Sequence, residues 1–193
     1  ILASQNKNDK LLEYIADYRK HIDNVHHFLS TGNTAIDCIV STKLSAAKQK
    51  GIQVSYSILL PQKIPLDDIS LCSLIGNLFN NAIEACEKIP SDKKDRCWIN
   101  FTIQPYQNMF GIYMENGSNG EYLFDKNGML LSTKSDTAKK RLSHGIGLKR
   151  IQELAEQADG LIDINPGKED FKLHIMIPLL EKDPDKDPDG STN

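Results

Sequence analysis

Asn77-Leu78-Phe79-Asn80-Asn81-Ala82-Ile83-Glu84 stands inside a long apolar-periodic stretch, and its reading decides the fold. Leu71, Leu74, Ile75, Leu78, Phe79, Ala82 and Ile83 recur at spacings of one, three and four. That period predicts a helix buried over most of its circumference. Asp67 or Asp68 supplies its N-cap, and the helix runs to about Ile89. Asn77, Asn81 and Glu84 fall at i, i+4 and i+7, on one stripe of that helix. Polar side chains on one line of an apolar helix meet either water or a polar ligand. Water is the plain alternative, with Asn80, Glu87 and Lys88 close by. The other is chemical: an Asn oxygen is a hard-cation ligand and an Asn amide a phosphate donor, so the stripe suits a magnesium nucleotide.

Two features downstream bear on that choice. Met114-Glu115-Asn116-Gly117 closes a predicted strand, and an Asn backed by glycine there is either a turn or a reader of a base edge. His144-Gly145-Ile146-Gly147-Leu148-Lys149-Arg150 enters a predicted helix. Its glycines let backbone N–H groups approach an anion, the helix N-terminus adds partial positive charge, and Lys149 and Arg150 add more. Between the two, residues 117–143 are rich in Gly, Ser, Lys and Asp with little periodicity, a connection of the length that functional or mobile loops have.

The order of the three features says more than any one of them. The chain resembles the GHKL superfamily of ATP-binding domains, which includes sensor histidine kinases and gyrase B. Asn77 to Ala85 looks like the family's N box, Met114 to Gly117 like its first glycine box, and His144 to Leu148 like its second. The resemblance covers roughly residues 7–180. It is closest to the accessory-gene-regulator type of quorum-sensing histidine kinase, through Asp125 to Asp136 ahead of the His-Gly-Ile-Gly-Leu and through Ser30-Thr31-Gly32-Asn33 opening a helix.

The resemblance implies a two-layer α/β (α+β) sandwich with a mixed sheet and about three helices, and ATP held between the helices and a lid. It implies Asn81 as the Mg²⁺ ligand with Asn77 supporting metal and phosphates, and Asn116 and Gly117 at the base. His144, Gly145, Gly147 and Leu148 stand at the phosphates, with Lys134 in the lid as a further contact. Hydrolases of the superfamily carry a Glu where this chain has Asn77, and an amide cannot take a proton from water. That points to phosphoryl transfer onto a protein side chain. Most histidine kinases have Asp where this chain has Asn116, whose oxygen still accepts from an adenine amino group but without a carboxylate's charge.

Leu11, Ile15, Tyr18, Ile22, Val25 and Leu29 form a seam of period 3.5, the pattern of a helix packing along another helix. A second helix follows over 34–50, with Ile36, Ile39, Val40, Leu44 and Ala47 apolar and Gly51 as its C′ residue. Residues 1–50 are therefore expected to be part of a dimerisation segment, residues 51–180 the ATP-binding domain, and residues 181–193 a disordered or appended tail. Strands are expected over 52–58, 97–104, 110–115, 161–165 and 171–178, and a helix over 147–158. The phosphoacceptor His is expected upstream of Ile1, with His21, His26 and His27 as solvated or packing residues. The expected partners are a second copy of the parent and a response regulator. The parent is expected to be membrane-anchored with this part in the cytoplasm. A Ser-directed regulatory kinase of anti-sigma type, or a non-catalytic partner-binding domain, are the rival readings.

Composition agrees with a globular domain. The 193 residues carry a formal charge of −3, which argues against direct nucleic-acid binding, and no run of about 18 apolar residues offers a membrane span. Cys38, Cys72, Cys86 and Cys97 make no CxxC pair, so four buried or half-buried free thiols in a reducing compartment are expected rather than a zinc site. Asp185, Asp187, Asp189 and Gly190 copy only the opening half of a calcium loop.

Overall fold

The computed structural model describes residues 29–124, 130–131 and 146–179. The chain order is α1 (Thr34–Gln49), β1 (Gln53–Ile58), α2 (Asp68–Glu87), a 3₁₀ turn (Ser91–Arg96), β2 (Trp98–Tyr106) and β3 (Met109–Gly117). Then come β4 (Leu123–Phe124), β5 (Leu130–Leu131), α3 (Ile146–Gln157), β6 (Leu161–Pro166) and β7 (Asp170–Pro178). Five strands form one mixed sheet in the order β1-β2-β3-β7-β6, with β1 parallel to β2 and every other pair antiparallel.

Alternation along the strands makes the two faces unlike, as in a sheet covered on one side. Ile99, Phe101 and Ile103 of β2, Phe110, Ile112 and Met114 of β3, and Leu173, Ile175 and Ile177 of β7 are buried toward the helices. Their alternates, such as Asn100, Gln104 and Lys172, lie on the open face. Against the buried face packs α2, with Leu71, Leu74, Ile75, Leu78, Phe79, Ala82, Ile83 and Cys86 inward and the Phe79 ring 4.8 Å from that of Phe101. The result is the two-layer α/β sandwich that the resemblance implies, with three helices among the described residues.

Local signals set the helix ends. Asn33 Oδ1 accepts from the Ile36 N–H at 2.9 Å, capping α1, and Asp67 caps α2 through the Ser70 N–H at 2.9 Å. At the other end of α1, Gly51 sits at φ 72°, its N–H donates to Lys48 O, and the Ile52 N–H donates to Ala47 O. This left-handed C′ glycine with its paired backbone bonds turns the chain into β1.

The helices α1 and α2 run side by side in one direction. Lys43 donates to Asn80 at 2.8 Å, Lys50 pairs with Glu87, and Cys72 donates to Ala35 O at 3.7 Å, each contact spanning 37 residues. Ile36, Val40 and Ala47 of α1 are buried in the same core as α2 and the sheet, so the core runs across residue 50. One expectation needs correction here. The stretch after Gly117 contains a short antiparallel pair, β4 with β5, where no strand was expected. The charged segment before β2 is a 3₁₀ turn. The seam at 11–28 and the tail lie outside the described residues.

Candidate functional site

The asparagines of α2 and Glu87 divide between two neighbours. Asn80 and Glu87 are exposed and engaged by the lysines of α1. Asn77 and Asn81 are half-buried and face α3 instead. Asn77 donates its Nδ2 to the carbonyl of Ser73 at 2.8 Å, one turn back along the helix, which fixes the amide and directs Oδ1 away from its own backbone. A Cβ placed on Gly147 would lie 3.1 Å from Asn81 Oδ1 and 3.4 Å from Asn77 Oδ1. Two amide oxygens thus converge on the first turn of α3, and any side chain at 147 would enter the space between them.

That first turn has its own chemistry. The opening N–H groups of a helix lack partners within the helix and carry partial positive charge, which favours an anion there. Lys149 and Arg150 add less than their charge suggests, because Glu153 meets both, at 3.6 Å and 3.5 Å. The backbone amides are therefore the main attraction for a phosphate. Leu148 is half-buried and packs on the core, which holds the turn in place.

The second part of the site lies where β3 ends. Asn116 is only 1% exposed and donates Nδ2 to the carbonyl of Gly117 at 2.9 Å. Gly117 must be glycine, since a Cβ there would collide with the Arg96 carbonyl oxygen. Cys86, five residues and about 7.5 Å further along α2 than Asn81, also directs its thiol at the Gly117 carbonyl, at 3.8 Å. One helix thus carries Asn77 and Asn81 in its middle and abuts Asn116–Gly117 near its end.

The segment after Gly117 is fastened to the β6–β7 turn. The Ser118 N–H donates to Glu169 O at 2.9 Å, and the Tyr122 hydroxyl donates to Asp170 O at 2.9 Å while lying 2.9 Å from Ser118 Oγ. Arg96 pairs with Glu169, and the Tyr122 ring lies 6.0 Å from that of Phe171. Burial pushes the Tyr122 phenol up. Ser118, Tyr122 and Glu169 escaped the sequence reading, because their partners come from strands far along the chain.

The structure therefore brings Asn77, Asn81 and Gly147 to one place and sets Asn116 and Gly117 at the end of the same helix. Lys134, His144 and Gly145 lie outside the described residues. Among the described residues no group of three or more His, Cys, Asp and Glu side chains gathers to hold a metal. The donors on offer are neutral amide oxygens beside helix N–H groups. That set suits a Mg²⁺ ion that keeps water and phosphate ligands and takes little from the protein. It does not suit a protein-caged Zn²⁺.

Comparison with known proteins gives the family and the fold. Residues 66–178 match the GHKL domain, which is more than half of the chain, and the chain belongs to that family. Its fold is that of GHKL ATPases and is like that of histidine kinase catalytic domains. Among solved structures it is similar to the Acinetobacter baumannii histidine kinase AdeS, with a TM-score of 0.54 at 11% identity over 91% of this chain and 82% of that one. It is also similar to full-length ShkA in complex with AMPPNP, at TM-score 0.52 and 13% identity over 75% of this chain and only 29% of that longer one. The nucleotide-free catalytic domain of histidine kinase ThkA gives 0.50 and 16% over 77% and 92%. No curated protein sequence matches the chain. No helix among the described residues is long and apolar enough to cross a membrane.

Proposed function

We propose that this chain is the ATP-binding catalytic region of a two-component sensor histidine kinase of the accessory-gene-regulator type. It transfers the γ-phosphoryl group of ATP to a His on a helix that precedes Ile1, from which it passes to an Asp of a response regulator. The observation that carries the reading is the convergence of Asn77 and Asn81 on Gly147 at the N-terminus of α3. The complex of ShkA with AMPPNP supports an adenine nucleotide as the ligand.

The geometry supports a role for each residue. Asn81 supplies an amide oxygen to Mg²⁺, and Asn77, held by Ser73 O, supplies a second oxygen beside it. The N–H groups at the start of α3 take the phosphate oxygens, and Gly147 leaves the room to do so. Asn116 presents its Oδ1 to the adenine amino group, because its nitrogen is committed to the Gly117 carbonyl. Asn81 and Asn77 would hold Mg²⁺, which would offset the charge of the phosphates. No carboxylate stands at position 77, so water has no general base there and the phosphoryl group is kept for an imidazole nitrogen. Lys134, His144 and Gly145 are further phosphate contacts in this reading. The parent is a membrane-anchored homodimer joined by the helical segment that includes the 11–29 seam, with this region on the cytoplasmic side.

The test is phosphorylation of the chain extended upstream of Ile1, with ATP labelled at the γ-phosphate. Label that is stable in base, lost in acid and retained on a His of the preceding helix is expected. Label on Ser or Thr would transfer the reading to a regulatory kinase of anti-sigma type.

A further inference from the structure

Two thiols meet behind the Asn116–Gly117 segment. Cys86 closes the last turns of α2 and is 2% exposed. Its Sγ donates to the Trp98 carbonyl at 3.5 Å and to the Gly117 carbonyl at 3.8 Å. Cys97, half-buried just before β2, donates its own Sγ to the carbonyl of Cys86 at 3.5 Å. Each thiol therefore bonds the backbone of the other cysteine or of its immediate neighbour. A carbonyl oxygen lies about 2.4 Å from its own Cα, which brings the Cys97 sulfur within about 6 Å of the Cys86 Cα. Across a formed disulfide the same distance is roughly 3–4.5 Å, so the two cysteines are packed neighbours that close with a shift of about 1–3 Å. The link between them, residues 88–96, is mostly exposed and already breaks its helical geometry at Lys93, with φ −123° and ψ 32°, so it has room to adjust.

We propose that Cys97 and Cys86 form a dithiol modification site that reacts with a low-molecular-weight disulfide of the glutathione class and closes into a Cys86–Cys97 disulfide. Cys97 is the entering thiol because it is the less covered of the two. Its thiolate attacks one sulfur of the small disulfide, forming a mixed disulfide and releasing one thiolate. The Cys86 sulfur then attacks the Cys97 sulfur and expels the second small thiolate, which takes the Cys86 proton and leaves as a thiol. Two protein thiols are oxidised and one small disulfide is reduced to two thiols. Burial holds the Cys86 thiol up at about 12, which makes it inert toward outside reagents. Its fixed proximity to Cys97 makes the intramolecular step the one open to it. Closure removes the Cys86 thiol from the Gly117 carbonyl, which Asn116 also uses.

The experiment uses the reduced, folded chain exposed to glutathione disulfide and then quenched in acid. Lys88, Lys93, Lys94 and Arg96 allow trypsin to separate the two cysteines, so a link between them is read directly by mass spectrometry. The expected result is loss of two of the four thiols, with the Cys86 and Cys97 peptides joined, no lasting glutathione adduct, and full reversal by dithiothreitol. The link forms equally in a Cys38→Ser/Cys72→Ser chain, and in Cys86→Ala the glutathione stays on Cys97. Trp98, the single tryptophan, stands next to Cys97, and its fluorescence falls on closure and returns on reduction. Should Cys86→Ala fail to fold, Cys97→Ser tests the same point, since it must block the link. A stable glutathione adduct on the wild-type chain, a link involving Cys38 or Cys72, or no loss of thiols overturns the proposal.

Discussion

Asn81 Oδ1 lies 3.1 Å from where a Cβ on Gly147 would stand, so α2 and α3 meet at a point built to exclude a side chain. The first prediction tests that point. Gly147→Ala requires the Asn81 and Asn77 amides to move by a few tenths of an ångström. It also gains about 0.5–1 kcal/mol of helix propensity. Thermal stability should therefore stay within a few degrees of the parent. Affinity for a magnesium nucleotide should fall by about tenfold or more, since the displaced oxygens are the proposed ligands. Calorimetric titration beside a melting curve separates the two effects.

Gly117→Ala should behave in the opposite way. The added Cβ meets a backbone oxygen, that of Arg96, which cannot rotate aside as a side chain can. A loss of about 3 kcal/mol or more is expected, of the size that steric conflict with backbone produces. Chemical denaturation measures it. A near-neutral result would mean that the approach of β3 to the turn before β2 is looser than described.

Asn33 offers a stability change away from the site. Its side chain caps α1 and also donates to Asp68 at 3.2 Å, tying the starts of α1 and α2 together. Asn33→Ala should cost about 1 kcal/mol. Nucleotide affinity should not change, because neither bond touches Asn77, Asn81 or Asn116. A denaturation curve paired with a titration checks both halves.

Much of the fold was legible because its signals are local. Asn33 and Gly51 bracket α1 as expected, and Asp67 opens α2. The buried face of α2 follows from its apolar spacing. The β2–β3 connection was placed too wide, at Pro105–Met109. The turn is only Gln107 and Asn108, with Gln107 at φ 53°, and Pro105 pairs with Phe110 inside the ladder. No Gly marked the left-handed residue, and a proline normally argues against a strand interior. The β4–β5 pair was missed because two-residue strands show no period.

The site was legible in part. The i, i+4 spacing put Asn77 and Asn81 on one line, but not which neighbour they would face. Spacing cannot separate them from Asn80 and Glu87, and only the position of α1 does so, by claiming those two with Lys43 and Lys50. Ser118, Tyr122, Glu169 and Cys86 were beyond reach for a simpler reason. Each acts through a backbone carbonyl or N–H of a residue distant in the chain, which no side-chain pattern encodes.

Two groups titrate differently in the folded and the unfolded chain. Burial first, and the nearby Cys97 second, raise the Cys86 thiol from about 9 to about 12. The folded chain therefore keeps a proton that the unfolded chain loses. The stability tied to that proton is whole below about pH 9 and declines from there to about pH 12. Cys86→Ala should flatten that alkaline decline, although it lowers stability at neutral pH. At the acid end, the Ser70 N–H and hydroxyl hold the Asp67 carboxyl below its ordinary value. Its contribution is present above the unfolded value of 3.8 and is lost as pH falls through the lower folded value. Asp67→Asn, which keeps a capping oxygen, should lessen that acid loss. Melting temperature against pH for the parent and both variants gives the comparison.

The most direct measurement of the central claim is calorimetric titration of the folded chain with a non-hydrolysable ATP analogue, with and without Mg²⁺, for the parent and for Asn81→Ala. Magnesium-dependent binding that Asn81→Ala abolishes, with the melting curve unchanged, is the predicted result. Binding that is indifferent to both Mg²⁺ and Asn81, or no binding up to millimolar nucleotide by a folded chain, would contradict the account.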